Sequence, residues 1–432
     1  MRIGTSVKSG VILVLAGLGV TGPLHAGEAR TINGCRVDRD GGSAPRHFGG
    51  RLELDGYSDH NDPTSGIGSG AGPASGDGVR LRRAWFSPCG RVRRLDLDYH
   101  IDYDFVTNSL QQAWLSYESK AHHGAIYAGQ DKPWASLDEI ASDTETPFLE
   151  RNIASSSGVN SLATYTNGLY YKWHKRQVFS RSDNLWLGAS ASYLHKQHGR
   201  TSGSNQGTAL NARIAYALLG KDHQWLHFGV SFIDARSTSG NTTRGSSALL
   251  ASYIYGNYFD KNEKLTLSSY GVSKLGAKPH SYTVGGEIAG AYQRAYLQAE
   301  YDHAEFAETG EARSTVRAYS VTAAILLTPG TRPYKCANAT YGAVESPHGA
   351  WELAVRYDKA RNGGSHFIGL ALKAANVSQA TLDRVSLLTL GLNYYPKEHV
   401  RFMFDYEQGR ADLGKAGTDS PNTVATRVQI LF

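Results

Sequence analysis

Cations recur in this chain at a spacing that would line them along one face of an extended backbone. Arg51, Arg80, Arg82, Lys172, Arg213, Arg294, Arg356, Arg401 and Arg427 each sit in or beside a stretch where polar and apolar residues alternate, while Lys132 and Arg151 belong to a long irregular segment. A guanidinium presents a planar fork matched to oxyanion or carboxylate oxygens, and an ammonium a compact point charge, so such an array suits small anions. Carboxylates share the same faces: Glu53, Asp55, Glu287, Glu300, Glu352, Asp405 and Glu407, with the ladder Asp96, Asp98, Asp102 and Asp104. Part of the cations are therefore expected to pair across neighbouring strands rather than with a solute. The aspartate ladder lacks the carbonyl-supplying turn that calcium sites use, and reads as a solvated face.

Other chemistries find little support. The sequence has no GxSxG, no HExxH and no Ser/His pair in a persuasive context, so it is expected not to be an enzyme. Gly66, Gly68 and Gly70 might cradle a phosphate, but no helix pattern follows them and the segment reads as a loop. Cys35, Cys89 and Cys336 form no CxxC or Cys/His cluster, which argues against a structural metal; no metal or cofactor is expected. One bridge is open to them, Cys89–Cys336 or Cys35–Cys89. The formal charge of +6 is spread among carboxylates rather than gathered in a patch, against nucleic-acid binding.

The elements that must position these residues are strands. Over residues 95–105, Leu95, Leu97, Tyr99, Ile101, Tyr103 and Phe105 alternate with Asp96, Asp98, His100, Asp102 and Asp104, a sorting no helix achieves. The last stretch, NTVATRVQILF, places Val424, Thr426, Val428, Ile430 and Phe432 on one face and stops on the aromatic. An apolar face for lipid, a polar face for a lumen and a closing aromatic describe the final strand of an outer-membrane β-barrel. Similar alternation through the chain predicts an all-β, antiparallel transmembrane barrel of about sixteen strands over residues 47–432. Residues 248–258 and 264–270 are weaker candidates, expected as a hairpin outside that set. Past the N-terminus no apolar run reaches the roughly 20 residues of a membrane helix. Arg2 and Lys8 precede an apolar run and small residues, so residues 1–26 read as a signal peptide and 27–46 as a periplasmic leader.

With both termini periplasmic, short connections are expected on that side and long ones outside. Residues 130–165 then become the third external connection, placed to fold inward and narrow the barrel, whereas residues 328–349 are long yet count as periplasmic. The inward segment holds Gly129-Gln130-Asp131-Lys132-Pro133 and Leu149-Glu150-Arg151, followed later by Thr328-Pro329-Gly330-Thr331-Arg332-Pro333-Tyr334, by the strand GAWELAVRY at 349–357 and by TLGLNYYP at 389–396. In order and together, these resemble the phosphate-selective porins of Gram-negative outer membranes, the porin O and porin P type. The resemblance implies a trimeric, sixteen-stranded barrel that conducts phosphate, pyrophosphate or polyphosphate passively. By that reading Lys132, Arg151, Arg80, Arg82, Arg213, Arg294, Arg356 and Arg401 line the pore, and Phe432 addresses the barrel-assembly machinery. The family's selectivity rests on clustered lysines, whereas here Lys132 stands among Asp131, Asp138, Glu139, Asp143 and Glu145. A weakly selective diffusion porin is the alternative within the class, and a secreted structural β-protein or adhesin the alternative outside it.

Overall fold

The computed structural model describes residues 30–32, 35–37, 47–60, 75–119, 123–155, 165–194, 207–221, 223–237, 247–249, 254–255, 265–266, 268–271, 280–307, 313–363, 367–369, 384–412, 418–420 and 422–432. The expected signal peptide and most of the leader lie outside these residues. Sixteen antiparallel strands close into one barrel. They are β1 His47–His60, β2 Ser75–Val92, β3 Leu97–Asp104, β4 Ser109–Ser119, β5 Gly124–Asp131, β6 Thr166–Arg176, β7 Asp183–Leu194 and β8 Gly207–Leu219. The second half comprises β9 Trp225–Ser237, β10 His280–Tyr292, β11 Ala295–Ala307, β12 Ser314–Leu326, β13 Ala350–Gly363, β14 Arg384–Lys397, β15 Val400–Asp412 and β16 Asn422–Leu431. The expected strand count and alternation are both borne out.

Side-chain period two sets the wall. Along β8 burial alternates without a break, with Ala209, Asn211, Arg213 and Ala215 inward and Leu210, Thr208 and Ile214 outward. Each strand pairs with its chain neighbours, and β16 returns to β1, where Phe432 and Gly50 exchange backbone hydrogen bonds of 3.0 and 2.8 Å. Gly50 is required at this seam, because a Cβ there would lie 2.5 Å from both the Phe432 ring and the Trp85 carbonyl. Short strands at 254–255, 265–266, 247–249 and 268–271 pair among themselves and with 367–369 outside the barrel, as expected of the weaker candidates.

Connections at one rim are short, such as the two-residue turn joining β10 and β11 through Tyr292↔Ala295. That turn accounts for a correction: Arg294, expected on a lumen face, occupies the turn itself and is exposed. Gln293 beside it takes φ 53°, the left-handed backbone that tight hairpins demand. The exception at this rim is the connection from β12 to β13, which runs into the barrel. Among the cysteines, Cys336 is a free thiol and Cys89 is bridged, which rules out the Cys89–Cys336 pairing. Cys35 is the one other cysteine in the sequence.

Candidate functional site

Two irregular segments occupy the lumen. From the loop rim, the connection after β5 descends as a chain of hydrogen bonds to the far wall. Asn211 on β8 clamps Trp134, accepting from its N–H at 2.8 Å and donating to its carbonyl at 2.8 Å. Glu300 on β11 receives Ser136 Oγ at 2.5 Å and the Asp138 N–H at 2.9 Å, where a single helical turn, Leu137–Ile140, begins. Further along, Asp405 accepts from the Leu149 N–H at 2.8 Å and Asn393 donates to the Pro147 carbonyl at 2.8 Å. Small wall residues make room: Phe148 packs beside Ala354, and a Cβ on Gly391 would meet the Phe148 ring at 3.0 Å.

Arginines complete this attachment. Arg401 donates to the Thr146 carbonyl at 2.7 Å, Arg427 to the Leu149 carbonyl at 2.8 Å and Arg356 to the Glu150 carbonyl at 2.9 Å. Arg427 also forks onto Asp55 at 2.7 and 2.9 Å, and Arg356 meets Asp358 at 2.7 Å. Arg356, Arg401 and Arg427 therefore face the lumen, as alternation predicts, but spend their donors on loop carbonyls and wall carboxylates.

From the turn rim, the insert between β12 and β13 rises against β6–β10. Lys172 donates to Asn338 Oδ1 at 2.7 Å, the Trp186 indole to the Ala337 carbonyl at 3.1 Å and the Trp225 indole to the Arg332 carbonyl at 2.8 Å. Arg213 holds Glu287 at 2.5 Å and the Ala339 carbonyl at 2.9 Å, and His227 bridges Glu287 and the Tyr334 hydroxyl at 2.9 and 2.8 Å. Arg213 is thus buried beneath this insert. The two segments meet: Lys335 pairs with Glu145, and Arg332 donates to the Glu145 carbonyl at 2.6 Å.

What keeps contact with water is a charged seam between the inward loop and β1–β2. A β-bulge opposite Glu53 and Leu54 inserts Arg82 between Arg83 and Leu81, so Arg83 joins Arg80 and Arg82 on the inner side. Sequence alternation misses Arg83 because a bulge shifts the period by one. Asp143 of the loop bridges Arg51 and Arg83, Glu150 pairs with Arg82 at 3.0 Å, and Arg80 stands opposite Asp55 in register. Lys132 meets Glu139 at 3.2 Å, and Arg151 reaches the other oxygen of the same carboxylate at 3.5 Å. Arg82, Arg83, Lys132, Arg151, Asp143 and Glu150 retain 12–21% of their side-chain exposure, whereas Arg213, Arg401 and Arg427 are nearly sealed.

Electrostatics follow from this packing. Burial pushes the Asp143 carboxyl up, but Arg51 and Arg83 outweigh it and hold it well below the usual carboxylate range. Burial and the neighbouring Arg151 charge lower Lys132, against the pull of Glu139. The described residues hold no group of His, Cys, Asp and Glu side chains arranged for a metal ion.

The sequence model of the family described as phosphate-selective porin O and P matches residues 69–432. The chain belongs to that family. No match is found among the curated proteins. In-vitro folded OmpT, an outer membrane protein of Vibrio cholerae, is similar in structure with TM-score 0.52 at 11% identity, covering 94% of this chain and 100% of that chain. The trimer form of in-vitro folded OmpT gives 0.51 at 10% identity, covering 89% and 98%. At such identities the likeness speaks to the fold. This porin is thus a channel-forming wall of a Gram-negative outer membrane. In connection order the inward loop is the third at the loop rim, and the insert between β12 and β13 enters from the turn rim.

Proposed function

We propose that this porin passes small anions of the phosphate class, including pyrophosphate or polyphosphate, by passive diffusion along the seam between the inward loop and β1–β2. The observation that carries the reading is the access to water kept by Arg82, Arg83, Lys132 and Arg151, where Arg356, Arg401 and Arg427 are consumed by the loop backbone. Cations at a narrow, partly dehydrated passage replace part of an anion's hydration, and their carboxylate partners keep binding weak enough for release. A second reading, a weakly selective diffusion porin, is favoured by those same partners, Glu139, Asp143 and Glu150, which nearly neutralise the seam.

Reversal potentials in planar bilayers under a KCl gradient separate the two. Anion preference together with block of chloride current by phosphate supports the first reading; no preference supports the second; cation preference overturns both. Lys132→Ala is expected to weaken the phosphate block, and an unchanged block would remove Lys132 from the passage. The porin is further inferred to be a homotrimer, a reading supported by the trimer form of the similar OmpT and checked by native mass spectrometry. Residues 1–26 are proposed as an export signal, 27–46 as a periplasmic leader and Phe432 as the mark for barrel assembly. N-terminal sequencing of the exported protein checks the first of these.

A further inference from the structure

The outer surface carries a row of cations that the porin function leaves unused. On β12, β13 and β14 the outward positions near the loop rim are Arg317, Arg361 and Arg384, and they stand directly opposite one another: Arg317↔Arg361 and Arg361↔Arg384. All three are exposed. One layer nearer the membrane centre lie Lys359, opposite Tyr319 and Ser386, and Arg410, opposite Ser386 on the other side. Like charges directly opposite on one face of a sheet destabilise it. The ends of the row offer little relief: Asp412 stands 3.8 Å from Arg384, and His303, opposite Arg317, is engaged with Glu305 at 3.2 Å. Among the described residues Arg317, Lys359, Arg361 and Arg410 have no hydrogen-bond or ion-pair partner. Other cations near the same rim are satisfied internally, Arg236 by Asp234 at 2.9 Å and Arg313 by Glu305 at 3.1 Å.

Directly below the row the wall turns aromatic and aliphatic. Tyr319 and Tyr357 lie 6.2 Å apart, the exposed Val321 and Leu388 flank Tyr357 in register, and Val355 and Leu390 are exposed beneath. Forks of positive charge at headgroup depth over an apolar wall are complementary to one chemistry: a phosphate-bearing headgroup carried on acyl chains. We propose that the outward face of β12–β15 is a binding site for a phosphorylated glycolipid of the outer leaflet. Arg317, Arg361 and Arg384 grip its phosphate oxygens and the wall below receives its chains. Guanidiniums suit the task because they engage phosphate oxygens two at a time.

The test uses the full-length porin in detergent with diphosphoryl lipid A as the probe. The triple variant Arg317→Gln/Arg361→Gln/Arg384→Gln is expected to bind lipid A about a hundredfold more weakly, at about a factor of five for each cation removed. Dephosphorylated lipid A is expected to bind the unaltered porin with a similar loss, and single-channel conductance is expected to stay unchanged. Equal lipid A binding by the variant overturns the proposal. So does full displacement of lipid A by an equal concentration of inorganic phosphate, which would mark a site for the free anion. A change in oligomeric mass that accounts for the loss would mark a protein contact instead, and also overturns it. Should the triple variant fail to fold, Arg361→Lys against Arg361→Gln decides: retention in the first and loss in the second supports the site, and equal binding by both defeats it.

Discussion

Glu139 determines what the two best-placed cations of the inward loop can do. It is buried, and its two oxygens face Lys132 at 3.2 Å and Arg151 at 3.5 Å, so part of each charge is spent within the protein. Glu139→Gln is expected to raise anion preference by about fivefold, on the order of 1 kcal/mol for a partly exposed pair, measured as a shift in reversal potential. Lys132 supplies a pH dependence of definite sign. Because burial and Arg151 lower its pKa, it gives up its proton in the folded porin at lower pH than a free lysine. Anion preference should therefore fall with rising pH before the ordinary lysine range is reached, and Lys132→Arg should abolish that fall. By linkage the unfolded chain holds this proton more tightly, so this lysine's contribution to stability increases as pH rises through the same window. Sequence reading placed Lys132 and Arg151 in the constricting loop but could not show that they share one carboxylate. In an irregular segment no period relates positions 132, 139 and 151, and only the folded path brings them together.

At the scale of elements, the lumen arginines are attachment points for a loop. Arg427 is the most committed, with Asp55, Glu53 and the Leu149 carbonyl all around one buried guanidinium. Arg427→Met should strand those carboxylates without a counter-charge and lower stability by about 3–5 kcal/mol, read as a lower temperature for the heat-modified gel shift. The inward loop was legible because its length and place in the connection order stand out. The length of the insert between β12 and β13 stands out in the sequence, but its route into the barrel does not. A signal for it existed: Trp186, Trp225 and Tyr296, together with Ala289, Ala291 and Ala324, lie on wall faces that should be polar if they met only water. Aromatic and small residues on a lumen face announce something packed against them. Deleting residues 331–345 is expected to raise single-channel conductance, and unchanged conductance would place the insert off the ion path.

For the whole molecule, strand number and closure were readable because period two repeats through the chain and each strand pairs with its neighbour. Facing charges were not, since alternation gives a side and never a partner. The closing seam offers a direct check on the barrel. Gly50→Val would drive a side chain into the Trp85 carbonyl and the Phe432 ring, at a cost of roughly 1–3 kcal/mol. The expected result is a lower thermal midpoint with less protein reaching the outer membrane. The meeting of the two lumen segments at Glu145 and Lys335 has a consequence of another kind. Fillings that enter from opposite ends and touch within the barrel concentrate electrical resistance there, so an applied potential falls steeply across that contact. It pulls the ammonium and the carboxylate in opposite directions, at about 2.3 kcal/mol per unit charge for each 100 mV traversed. One polarity presses the pair together and the other draws it apart, so the two directions of an applied potential act unequally on this contact.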